Sequence, residues 1–174
     1  MKEQNTIHFI FTGGTIDSHY DVTKDTVVPN KHSIIPEYLK QLKLYTKLKF
    51  TEICMKDSRK ITKKDLKAIL NVIEKSPFKM IIVIHGTYTM SDTAKYLAKN
   101  LKRRDQKIIL TGAMIPLKGF DFTDASFNLG YAFANVKNVK EGIYAAMNGR
   151  LFKTNEVKKN IAKGRFYAIS KNMR

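Results

Sequence analysis

Five apolar runs of strand length, at Ile7–Phe11, Leu48–Cys54, Met80–Ile84, Lys107–Leu110 and Gly142–Met147, are separated by stretches whose apolar residues recur at helical spacing. This alternation constrains the chain more than any other feature. Strands that take turns with helices point to an α/β fold in which a mostly parallel sheet carries helices on both faces, a Rossmann-like arrangement. The segment "ITKKDLKAILNVIEK" opens with Thr62 as an N-cap and Asp65 three residues on, and Leu66, Ile69, Leu70 and Ile73 make one apolar face. "SDTAKYLAKNLKR", "DASFNLGYAFANV" and the shorter "PEYLKQLKL" repeat the pattern. With no internal repeat and no low-complexity linker, 174 residues read as one domain with a packed core, residues 1–174.

The turns that leave the strands carry the functional signal. After the five runs come "TGGT", "KDS", "HGT", "TGAM" and "MNGR". In a parallel sheet such segments emerge at the carboxyl edge, where ligands of open α/β folds bind, so small and hydroxyl-bearing turns converge on one crevice. Glycines there permit close backbone approach and expose amide N–H groups. A phosphate-cradling loop is the first competitor for "TGGT", but neither the phosphate-loop spacing nor G-x-G-x-x-G is present. His8, His19, His32 and His85 lack paired spacing and Cys54 stands alone, so no metal site and no internal disulfide are expected.

The formal net charge of +17 raises the question of a polyanionic partner. Its lysines sit in "KDSRKITKKDLK", "LKRRDQK" and "EVKKNIAKGR", without interleaved aromatic residues or a nucleic-acid motif. The expectation is a solvated basic surface with no dedicated nucleic-acid partner. No run has the length and apolarity of a signal peptide or membrane span, so the chain reads as cytoplasmic, with no membrane partner.

Taken together and in order, "TGGTID" at Thr12–Asp17, "HGTYTM" at His85–Met90, "TGAM" at Thr111–Met114 and "DASFNL" at Asp124–Leu129 resemble the bacterial-type L-asparaginases. "AAMNGRLF" and "EVKKNIAKGRF" resemble the end of that family's N-terminal catalytic domain, so the similarity covers nearly the whole chain. The family's usual C-terminal domain has no counterpart in the sequence, which is similar to the short, single-domain forms. The resemblance implies hydrolysis of the asparagine side-chain amide, without a cofactor, by a homo-oligomer whose partner is a small-molecule substrate. It implies Thr15 as nucleophile, on a mobile loop with Tyr20 as its activator, and Thr87 and Lys159 as a second catalytic pair. Gly14, Ser58, Arg59, Gly86, Tyr88 and Ala113 would line the substrate site. Of these, Ser58 would bind the α-carboxylate, and the Ala113 carbonyl would hold the leaving nitrogen. A threonine hydroxyl needs a proton acceptor and a stabilised oxyanion to act at neutral pH.

One position departs from the family pattern. Where the family reads "HGTDTM" this chain has Tyr88, a neutral phenol in place of an acid that grips the substrate's α-ammonium. A non-catalytic small-molecule-binding protein on the same scaffold, or a hydrolase of a different small amide, is the alternative reading.

Overall fold

The computed structural model describes residues 5–169. In chain order the elements are β1 (Thr6–Gly13), a short hairpin of β2 (Ser18–Asp21) and β3 (Thr26–Pro29), α1 (Ile35–Gln41), β4 (Lys47–Lys56), α2 (Lys63–Lys75), β5 (Met80–Ile84), α3 (Met90–Asn100), β6 (Lys107–Thr111), α4 (Ala125–Val136), β7 (Gly142–Met147), β8 (Arg150–Lys153), β9 (Val157–Asn160) and β10 (Arg165–Ala168). The main sheet has the order β4-β1-β5-β6-β7-β8. Its first five strands are parallel and β8 returns antiparallel to β7. The α/β class, the mostly parallel sheet and the five expected strands are all present.

Period-two alternation along the strands divides the core into two layers. Ile10, Ile81, Val83, Ile108 and Leu110 face α2 and α3, meeting Ile69, Ile73, Met90, Ala94 and Leu97. Phe9, Phe11, Ile82, Ile84 and Ile109 face the other way, toward Ile35 and Leu39 of α1 and Leu129, Ala132 and Val136 of α4. Helices therefore cover both faces.

α2 starts at a reciprocal capping box: the Thr62 hydroxyl accepts from the Asp65 amide at 3.2 Å, and the Asp65 carboxylate accepts from the Thr62 amide at 2.8 Å. Lys56, at the end of β4, reaches the same carboxylate at 2.8 Å. Burial alone would raise the Asp65 pKa, but Lys56 and Thr62 hold it at about 2. Removing the cap by Thr62→Ala should cost about 1 kcal/mol, lowering the midpoint of thermal unfolding by about 2–4 °C.

Three features differ from the sequence reading. α3 ends at Asn100 instead of running through Arg103, because Leu101 already adopts extended backbone angles. "MNGR" is a tight hairpin in which Asn148 and Gly149 both take positive φ, 54° and 69°, as a two-residue turn into an antiparallel strand requires. The β2–β3 and β9–β10 hairpins stand outside the main sheet, in segments to which the sequence reading assigns no strand. Among the described residues no helix is long and apolar enough to cross a membrane, and no histidine, cysteine and carboxylate cluster could hold a metal.

Candidate active site

From β1 the chain crosses first to β4 on one side and then to β5 on the other, so the sheet order reverses at β1. At such a switch the turns leaving adjacent strands diverge and open a crevice at their carboxyl ends. Gly14 leaves β1 with its amide donating to the Lys56 carbonyl at 2.9 Å, which ties the turn to the end of β4. Its φ is 86°, and a Cβ there would lie 2.4 Å from the Gly86 Cα. A Cβ on Gly86 would fall 2.7 Å from the Ser58 Oγ. Two absent side chains thus let three turns touch, the turns on which Thr15, Ser58 and Thr87 lie.

Thr87 is 6% exposed, and its hydroxyl accepts from the Lys159 ammonium at 2.7 Å. Lys159 reaches it from β9, 72 residues on. Burial pulls the Lys159 pKa below the ordinary lysine value; the charge of Arg59 adds to the pull, while Asp124 and Asp57 oppose it. A lysine so placed can exchange a proton with the hydroxyl it touches. Thr15 begins a short helical turn, Thr15–Asp17, is partly exposed and makes no side-chain hydrogen bond among the described residues. Its hydroxyl is uncommitted.

The other expected site residues surround this pair unevenly. Ser58 is buried, its carbonyl accepting from the Thr89 hydroxyl at 2.9 Å. Ala113 is fully buried in the turn after β6, next to the β5 turn. Arg59 turns back on its neighbour Asp57, with Nη2 2.6 Å from a carboxylate oxygen. Its guanidinium also lies 5.8 Å from the ring centre of Tyr88, which is 54% exposed. Tyr20 does not meet Thr15. It lies on β2, 46% exposed, with its hydroxyl donating to Asp25, and this bond raises the phenol's pKa above its ordinary value.

Sequence reasoning passed over four supporting residues. His85 is fully buried; burial keeps it neutral, its Nδ1 meets the Gly86 carbonyl at 2.8 Å and its Nε2 meets the Thr93 hydroxyl at 2.9 Å. A carbonyl only accepts, so Nδ1 carries the proton and Thr93 donates to Nε2. This pair orients the "HGT" turn. Asp124 accepts from the amides of Met114 and Ile115 at 3.0 Å and from Asn128 Nδ2 at 2.9 Å, fastening the β6 turn to α4. The signal available was the residue types within "HGTYTM" and "DASFNL", but the pairings join polar side chains across turns, where apolar periodicity gives no reading.

A family model described as the asparaginase N-terminal domain matches residues 6–172. Among solved structures, the thermostable L-asparaginase from Thermococcus kodakarensis is similar with a TM-score of 0.76 and 21% identity, over 94% of this chain and 51% of that one. A probable cytoplasmic L-asparaginase from Campylobacter jejuni gives 0.78 and 23%, over 95% and 53%. L-asparaginase I from Vibrio cholerae gives 0.77 and 24%, over 95% and 51%. The chain spans about half the length of these structures. No curated protein matches the sequence.

Proposed function

Because the chain belongs to the asparaginase family, matching its N-terminal domain over residues 6–172, we propose that it is an amidohydrolase that converts L-asparagine to L-aspartate and ammonia through Thr15. The observation that carries this reading is the 2.7 Å contact between Lys159 and the buried Thr87 at the crevice where Gly14 meets Gly86. The Thr15 hydroxyl adds to the amide carbon, the carbon–nitrogen bond breaks and ammonia leaves with the proton the hydroxyl sheds. Water then attacks the resulting ester, the bond to the Thr15 oxygen breaks to release aspartate, and the proton that water gives up passes by way of Thr87 and Lys159 to the Thr15 oxygen. Ser58 holds the α-carboxylate and the Ala113 carbonyl accepts from the departing nitrogen. Tyr20 can assist Thr15 only after its bond to Asp25 breaks, so its role requires the β2–β3 hairpin to move. The reaction needs no cofactor. We place it in the cytoplasm in a homo-oligomer; the exposed Phe122, before α4, and Phe127, in its first turn, supply apolar surface for a second copy.

Ammonia release from asparagine by the purified protein tests the reading. Calorimetric binding of asparagine without release would favour the non-catalytic alternative, to which Tyr88 lends its one specific observation. Two carboxylates of the turns around the crevice are already engaged, Asp57 by Arg59 and both oxygens of Asp124 by backbone or side-chain donors, and position 88 offers none. Tyr88→Asp should supply one. The Michaelis constant for asparagine is expected to fall by about tenfold, with a smaller change in kcat, since the ammonium is held alike in the ground and transition states. An unchanged or higher constant in a folded variant would place amino-group recognition elsewhere.

A further inference from the structure

A cavity of about 350 Å³ lies between the β7–β8 and β9–β10 hairpins, and neither Thr15, Ser58, Thr87 nor Lys159 lines it. Asn160 lines it, while the preceding residue, Lys159, reaches Thr87 instead. Arg150 comes from β8, Arg165 from β10 and Lys163 from the turn between β9 and β10, and no carboxylate is among the lining residues. All three cations are exposed, and none forms an ion pair among the described residues. Like charges around one concavity raise its potential and repel one another until an anion enters.

The other polar groups point to the same ligand. The Asn160 side-chain oxygen already accepts from the Lys163 amide at 3.1 Å, and that of Asn148 from the Phe166 amide at 3.0 Å. Each asparagine is left with its amide N–H groups, so the polar lining is dominated by donors. Guanidinium forks match phosphate oxygens in pairs. The rest of the wall is aromatic: Phe152 and Phe166 pack with ring centres 6.4 Å apart, Arg150 sits 5.3 Å from the Phe152 ring, and Tyr167 is 45% exposed. We propose that this cavity binds a mononucleotide, with its phosphate against Arg150, Lys163 and Arg165 and its base against the Tyr167 ring. Its volume suits a ligand of that size, and part of the +17 charge, which amide hydrolysis does not use, acquires a local role.

The test is calorimetry at low salt with adenosine monophosphate, adenosine and inorganic phosphate as probes. The monophosphate should bind with a Kd below about 1 mM, and the two fragments should each bind at least about tenfold more weakly. Arg165→Ala and Arg150→Ala should each weaken monophosphate binding by about tenfold or more, because each removes a charge-assisted contact. Both side chains are exposed, so unfolding midpoints should hold. Lys63→Ala, on the exposed start of α2, removes the same charge and should change binding less than about twofold. Absence of binding, equal loss in Lys63→Ala, or phosphate binding as tightly as the monophosphate would each overturn the proposal. So would an RNA oligonucleotide that binds when the monophosphate does not.

Discussion

Thr15→Ala is expected to lower ammonia release from asparagine by about three orders of magnitude or more, since it deletes the proposed nucleophile and leaves only the surrounding site. The side chain makes no hydrogen bond among the described residues and is partly exposed, so the unfolding midpoint should stay close to that of the unaltered protein. Lost activity with retained stability separates chemistry from folding. Lys159→Met should also reduce the rate, by about 10²–10⁴-fold, and should change its pH dependence. The lowered lysine pKa sets the sign. Below it the ammonium cannot accept a proton, so the rate rises with pH until the amine is neutral. Burial and Arg59 place that rise below the ordinary lysine range. Lys159→Met should remove the rise. Activity in Thr15→Ala equal to that of the unaltered protein would end the proposed mechanism, whatever Lys159→Met does.

The second large effect concerns the backbone. Gly14→Ala should cost about 3 kcal/mol or more and lower the unfolding midpoint by about 10 °C. Two penalties add. The φ of 86° is strained for any residue with a Cβ, and that Cβ would lie 2.4 Å from Gly86 backbone atoms, which cannot rotate away as a side chain could. Relief requires the β1 and β5 turns to separate, which also moves Thr15 from Thr87. Activity should therefore fall with stability, and thermal unfolding monitored beside ammonia release would show both. A variant as stable and active as the unaltered protein would mean that the two turns need not touch.

Legibility in the sequence depended on the range of each interaction. The Thr62–Asp65 capping box was readable because its partners are three residues apart and its chemistry is local. β1, β4, β5, β6 and β7 were readable because each is an apolar run bounded by turn residues. The β2–β3 and β9–β10 hairpins were not. Their strands are only four residues long, too short for period-two alternation to stand out.

The sequence by itself determined the α/β class, the order of the elements and the convergence of "TGGT", "KDS" and "HGT" on one sheet edge, because period and chain order suffice for these. Motif resemblance singled out Thr87 and Lys159. Only the tertiary structure decided that their side chains lie 2.7 Å apart, that Tyr20 is held by Asp25 instead of Thr15, and that Asp57 and Asp124 are already engaged. Lys159 meets a residue 72 positions away, which chain order does not reveal, and the partners of Tyr20, Asp57 and Asp124, though no more than ten residues off, are chosen by the loop conformation that packing imposes.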